Sequence, residues 1–251
     1  MNKKSKLQLK TIVIILLLVL VLVLLVLKSS KSNTLVKNNT PSQDIEQVKT
    51  VPVSITTKNI KEDNFSGTES VVLGTAPIAV ESRAYIDKTV LDFKTQADKD
   101  VPAMIAKFGA GSPPATYTID IESKFIKGIK TDSIVTSVYE YTGGANGNSY
   151  YKVITGSATS GKILLLSDII KNDQQTAFTD YLKKQLDTWA PEGTTAPVVF
   201  PDTVKDLTFS SFTNWSMDDN NLIIYFAKYE IEPGVLAAVD FPLPLNKISD
   251  Y

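Results

Sequence analysis

From Thr11 to Leu27 the chain reads TIVIILLLVLVLVLLVL, 17 residues without a charge and apolar on every helical face. At 1.5 Å rise per residue this run spans about 25 Å, the short end of what a bilayer core requires. A transmembrane helix is predicted over 11–27, after a cytoplasmic tail of residues 1–10. Residues 28–75 then lose the apolar pattern. Stretches such as Lys37-Asn38-Asn39-Thr40-Pro41-Ser42 bury too little surface to offset ordering entropy, so 28–75 reads as a flexible extracytoplasmic linker, with a short extended stretch at Val51–Ile55. Residues 76–251 carry the globular part.

In that part the period changes from element to element. Ile78–Val80 reads as a short strand. Val90, Phe93, Ala97, Val101, Ile105 and Phe108 recur at three and four, one face of a helix from Tyr85 to Phe108, with Pro102 inside it and Gly109–Pro114 ending it. Tyr117, Ile119 and Ile121 alternate with Thr118, Asp120 and Glu122, a half-buried strand. Ile134–Tyr141, Tyr150–Ser157 and Lys162–Leu166 follow as strands with short turns between them, which implies antiparallel pairing. Ser167 caps a short helix at Asp168–Lys171. Phe178, Tyr181, Leu182, Gln185, Leu186 and Trp189 mark a second long helix. Phe212–Met217 and Leu222–Ala227 form a hairpin about Asp218–Asn221, and Ala238–Leu245 is a last strand, placed at an edge by Pro242 and Pro244. The fold class is α+β: antiparallel sheet with two main helices packed on it.

Composition narrows the chemistry. The chain has no cysteine and no histidine, which excludes disulfides, thiolate nucleophiles, Cys/His zinc sites and an imidazole base. Lipoprotein anchoring is excluded with the cysteines. Arg83 is the only arginine, so bidentate clamps on phosphate are nearly ruled out. Residues 1–75 are basic and 76–251 acidic, which argues against nucleic acid. Lys3, Lys4, Lys6 and Lys10 before the apolar run favour the N-terminus inside and the remainder outside. A cleaved signal peptide, with Ser30-Lys31-Ser32 as its processing site, is the competing reading; both export the globular part.

Three stretches carry a family resemblance. Tyr139–Tyr151 contains YTGGANGN, Thr155–Ile170 reads TGSATSGKILLLSDII, and Asn220–Leu245 reads NNLIIYFAKYEIEPGVLAAVDFPLPL. In this order they resemble the signature YTGGAHGN, the T-G-K-x-L-x-L-x-D-L-F step and the closing segment of the RsiV-like family of exported bacterial domains (DUF3298, often preceded by DUF4163). The resemblance implies an α+β domain, DUF4163/DUF3298-like, over 76–251. The family's best-known member is a membrane-bound anti-sigma factor whose exported domain binds lysozyme, and other members precede a peptidoglycan deacetylase. This chain departs from both. Only ten residues precede the apolar run, too few for a sigma-binding part, and no histidines exist for a deacetylase metal. Asn146 stands where the signature has histidine.

Two loops are the candidate sites. Tyr139, Tyr141, Gly143, Gly144, Asn146, Asn148, Tyr150 and Tyr151 form a glycine-rich turn flanked by tyrosines, suited to sugar or protein contact. The same residues also read as a long hairpin turn with cross-strand tyrosine packing. The loop leads into a strand rather than a helix, so no nucleotide is expected. Tyr229 and Glu230 lie in a second loop that would complete a groove beside the first; otherwise Pro233-Gly234 is simply a turn. Nothing in the sequence places Asp218/Asp219 or Asp120/Glu122 across a cleft as glycoside hydrolysis needs. No metal and no cofactor are expected. The expectation is a membrane-anchored, non-catalytic extracytoplasmic binding or sensor domain. It would contact the lipid bilayer through 11–27 and a lysozyme-like protein or peptidoglycan through its domain. The alternatives are a structural envelope protein self-associating through a strand such as Ala238–Leu245, or an envelope hydrolase using carboxylates alone.

Overall fold

The computed structural model describes residues 51–109, 117–191 and 197–249. The predicted tail at 1–10 and the predicted transmembrane helix at 11–27 fall outside these residues. Among the described residues no helix is long and apolar enough to cross a membrane. The linker boundary at 75 is corrected. Ser54–Lys61 (β1) and Phe65–Leu73 (β2) form an antiparallel hairpin, paired from Ser54 with Leu73 to Lys61 with Ser66. Polar residues with few large side chains build this hairpin, and β2 buries Glu69 and Ser70 as well as apolar residues. Phe65 and Val72 are buried, while most of β1 stays exposed.

Pro77–Phe108 (α1) is one helix of 32 residues. It absorbs Ile78–Val80, read above as a strand. Pro77 stands in the first helical turn, where its missing N–H costs nothing. The helix continues through Pro102, which leaves the carbonyl four residues earlier without its helical donor. Burial of Phe93, Ala97 and Val101 just before it offsets that loss. Gly109, at φ 86°, closes the last turn by donating its N–H to Ile105 O.

Tyr117–Lys127 (β3), Thr131–Tyr141 (β4) and Asn148–Ser157 (β5) complete a five-stranded sheet in the order β1-β2-β3-β4-β5. All pairs are antiparallel except β2 with β3, which run parallel because α1 carries the chain back between them. Gly67 of β2 lies so close to Ile119 of β3 that a Cβ there would stand 1.6 Å from the Ile119 oxygen. The face of this sheet carrying Phe65, Tyr117, Ile121, Ile134, Val138 and Ile154 packs on α1 as one core.

The rest of the chain forms a second core. Lys162–Leu166 is not a strand; only Ile163 makes a bridge, to Gly156. The chain turns instead through a 3₁₀ turn at Leu166–Asp168, where the Asp168 carboxylate accepts Leu165 N–H. Gln175–Leu186 (α2) and Pro201–Asp206 (α3) follow, and Trp189 lies beyond the end of α2. Trp215–Met217 (β6), Asn221–Phe226 (β7) and Val239–Pro244 (β8) form an antiparallel sheet with β8 at an edge, as Pro242 and Pro244 predict. Leu245–Ile248 (α4) ends the described chain. Phe178, Leu182, Phe212, Leu222 and Phe226 lie at the centre of this core.

The two sheets meet through small polar groups. Thr155 Oγ1 donates to Trp215 O at 2.6 Å, and Thr131 Oγ1 donates to Met217 O at 3.1 Å. Val153 N donates to Asn214 Oδ1, which covers part of the outer edge of β5. The apolar content of this layer is a small cluster about Val135, Val153 and Tyr225. Burial pushes the Tyr225 hydroxyl up to about 12.

Candidate functional site

The β4–β5 hairpin ends in the predicted glycine-rich loop. Gly143 and Gly144 take φ of 98° and 102°, a conformation that glycine adopts without steric cost. The Tyr141 hydroxyl donates to Gly144 O at 3.0 Å and closes the loop on itself. Gly147 carries no side chain because the Tyr139 ring lies over it; a Cβ there would stand 2.4 Å from the ring. Tyr139 is 43% exposed.

The second loop, from Ala227 to Pro233, is brought to the first by Lys228. Its N–H donates to Ser149 O at 2.9 Å, and its ammonium donates to Gly147 O at 2.6 Å. Ala238 N donates to Ser149 Oγ, which ties the start of β8 to the same strand end. A groove of about 330 Å³ results, lined by Gln96, Glu140, Thr142, Asn146, Gly147, Asn148, Lys228 and Tyr229. Larger clefts of about 610 and 800 Å³ open beside α4 and between β5 and residues 209–215. Their walls are mainly apolar, whereas those of the groove are mainly polar.

Tyr229 sits at φ 66°, a left-handed conformation that a bulky residue rarely adopts. Two carboxylates hold the turn there. Glu230 accepts Ala227 N at 2.7 Å and Glu232 accepts Tyr229 N at 3.3 Å. Burial raises the pKa of both above the usual carboxylate range, opposed by these N–H donors. Glu232 is fully buried, and its Oε2 has no hydrogen-bond partner. The Tyr229 ring lies against Gly234, where a Cβ would stand 2.2 Å from the ring and 2.6 Å from the Lys228 side chain, and the Lys228 ammonium stands 5.0 Å from the ring centroid. Even so, Tyr229 remains 59% exposed.

Of the predicted residues, Asn146, Asn148 and Tyr229 therefore share the groove, and Tyr139 is exposed on its hairpin. Gly143, Gly144, Tyr141 and Glu230 shape the two turns. Tyr150 and Tyr151 do not present aromatic faces beside them, because neighbouring residues on a strand point to opposite faces. Tyr150 packs toward α1 and donates to Glu140 Oε1 at 2.6 Å, and burial with that carboxylate raises its pKa. Tyr151 stacks on Tyr225 at 5.0 Å between the sheets. Lys228, Glu140, Thr142, Gln96 and the buried Glu232 were not among the predicted residues. Glu140 lies inside the YEYTGGANGN stretch, and Lys228 immediately precedes Tyr229, so proximity was a signal for both; Gln96, inside α1, carried none.

Among the described residues no cluster of three or more acidic side chains is placed to hold a metal ion. Glu140 is the one carboxylate among the lining residues of the groove.

Comparison with known proteins gives the following. A crystal structure of a DUF3298 family member from Bacteroides fragilis has a similar fold, with a TM-score of 0.53 at 18% identity, covering 78% of this chain and 92% of that one. A DUF3298 family protein from Pseudomonas aeruginosa matches with a TM-score of 0.46 at 14% identity, covering 80% and 92%. No curated protein matches the sequence. The family model of DUF3298, a protein family of unknown function, matches residues 167–246. The match begins after the YTGGANGN hairpin and takes in the end of the TGSATSGKILLLSDII stretch and all of Asn220–Leu245. The matched segment runs from the 3₁₀ turn before α2 to the start of α4 and is similar to the DUF3298 family over that stretch.

Proposed function

We propose that the protein is a membrane-anchored, non-catalytic binding module of the bacterial cell envelope, RsiV-like, with a DUF4163-like region ahead of its DUF3298 domain. The apolar run 11–27 serves as an uncleaved signal-anchor with the N-terminus in the cytoplasm, and the folded part lies outside. The ligand is a cell-wall component or a lysozyme-like protein.

One observation carries the binding role. Lys228 ties together two loops some 80 residues apart and leaves an open polar groove with an exposed tyrosine at its lip. Such a site can recognise but is poorly equipped to react. A single carboxylate lines it, and neither a second acid nor an imidazole is at hand for proton transfer. Self-association through β8 is disfavoured by Pro242 and Pro244, which remove two backbone donors from that edge.

The test is binding of the full chain, purified in detergent, to immobilised lysozyme and to insoluble wall fragments at two salt concentrations. Saturable binding to either is expected. Lysozyme binding should weaken as salt rises, since the globular part is acidic and lysozyme basic. Absence of binding to both overturns the proposal.

A further inference from the structure

We infer that the Lys228–Gly147 groove is a saccharide site, built for a short neutral oligosaccharide. This rests on the binding role proposed above and names the ligand chemistry of the same groove.

The polar side chains on the groove are of the kind that pair with vicinal hydroxyls. Asn146, Asn148 and Gln96 each carry a planar donor–acceptor amide, which can give one hydrogen bond and take another from adjacent sugar oxygens. Glu140 adds an acceptor. Its Oε1 already receives the Tyr150 hydroxyl at 2.6 Å, which fixes the carboxylate and leaves Oε2 for a ligand. Thr142 supplies a hydroxyl. The one cation is already engaged, because Lys228 Nζ donates to Gly147 O. Lys228 and Glu140 carry opposite single charges on the same groove, so its lining is neutral overall, which suits an uncharged sugar.

A sugar also has a face of C–H groups, and an aromatic ring is the matching surface. Tyr229 supplies it. The ring is more than half exposed yet fixed. Its backbone is strained at φ 66°, two carboxylates hold the turn, and Gly234 is bare beneath it. Glycine at 229 would relieve that strain, and the Lys228 ammonium over the ring occupies only part of an aromatic surface that stays more than half exposed. A pre-set aromatic face is a reason, since the ligand then orders nothing on binding. The groove is shallow and open, suited to a segment of a chain and not to an enclosed small molecule.

The experiment is titration of the full chain, in a detergent without a sugar headgroup, with N-acetylglucosamine and glucose oligomers and with an oligogalacturonate as the anionic control. Binding is read by calorimetry and ligand-detected NMR. Neutral oligomers should bind and the anionic one should not. Tyr229→Phe should keep the affinity. Tyr229→Gly should lower it by about tenfold or more while leaving thermal stability equal or higher. Asn146→Ala and Asn148→Ala should each weaken it. Saccharide binding that survives Tyr229→Gly and both Asn variants overturns the assigned site. No saccharide binding, with lysozyme bound and that binding lost in Tyr229→Gly, overturns the saccharide and leaves the binding role intact. No binding of sugar, wall fragment or lysozyme overturns both.

Discussion

Glu232 sits where an ionised carboxylate costs the protein stability at neutral pH. Its carboxylate is fully buried, one oxygen lacks a partner, and burial raises its pKa. A group whose folded-state pKa is raised favours the folded state most when protonated. Stability from Glu232 is therefore full below the ordinary carboxylate pKa and is lost as pH rises through the higher folded value. Glu230, raised for the same reason, acts in the same direction. Glu232→Gln retains an acceptor for Tyr229 N and removes the buried charge. The variant should melt at the same or a higher temperature than the parent at pH 7. Its advantage should shrink toward pH 4, as calorimetric scans across that range would show; a constant difference would mean that the charge is not the cause.

At the scale of elements, the strength of each pattern decided what could be read. The helix face from Val90 to Phe108 and the alternation from Tyr117 to Ile121 are long and periodic, and both elements are present. The hairpin about Asp218–Asn221 and the proline-marked edge strand were legible for the same reason. β1 and β2 were not. Their sequences, SITTKNIK and FSGTESVVL, alternate weakly because β1 is a mostly exposed edge and β2 places the polar Glu69 and Ser70 among its buried positions. Lys162–Leu166 has the apolar composition of a strand, but it pairs only at Ile163; Leu166 enters the second core, Ile163 and Leu164 lie at the margins of the two cores, and Leu165 is exposed. The parallel β2–β3 pair follows from α1 once β2 is recognised. In the candidate site, the loop positions of Asn146, Asn148 and Tyr229 were foreseeable, whereas the surroundings of Tyr151 depend on a second sheet that the local pattern does not reveal. Phe93 shows how much α1 contributes: it is buried between Phe65 and Tyr117 at ring distances of 5.5 and 6.0 Å. Phe93→Ala should cost about 3–5 kcal/mol, measured by urea denaturation. Gly67→Ala should be at least as damaging to the β2–β3 pair, because the new methyl would collide with backbone that cannot move aside.

For the whole molecule, the domain boundary has a practical consequence. The compact unit begins at Lys49. A fragment cut at residue 76 lacks Phe65 and Val72, leaves β3 as a raw edge and uncovers one flank of the α1 core. Residues 49–251 should melt cooperatively with dispersed amide resonances. Residues 76–251 should aggregate or show no sharp transition, and equal behaviour of the two would contradict the structure.

A hydroxyl-rich layer between the sheets, with a small apolar cluster about Tyr225, separates the two cores. Should this seam open, amides about the second core would exchange hydrogen by a partial opening that spares the first. The groove draws Asn146, Gly147 and Glu140 from one side of that seam and Lys228 and Tyr229 from the other. Any ligand seated there bridges it and binds only the joined form. Such a ligand is a staple as much as a signal: by mass action, occupancy slows exchange throughout residues 163–249, far beyond its own footprint.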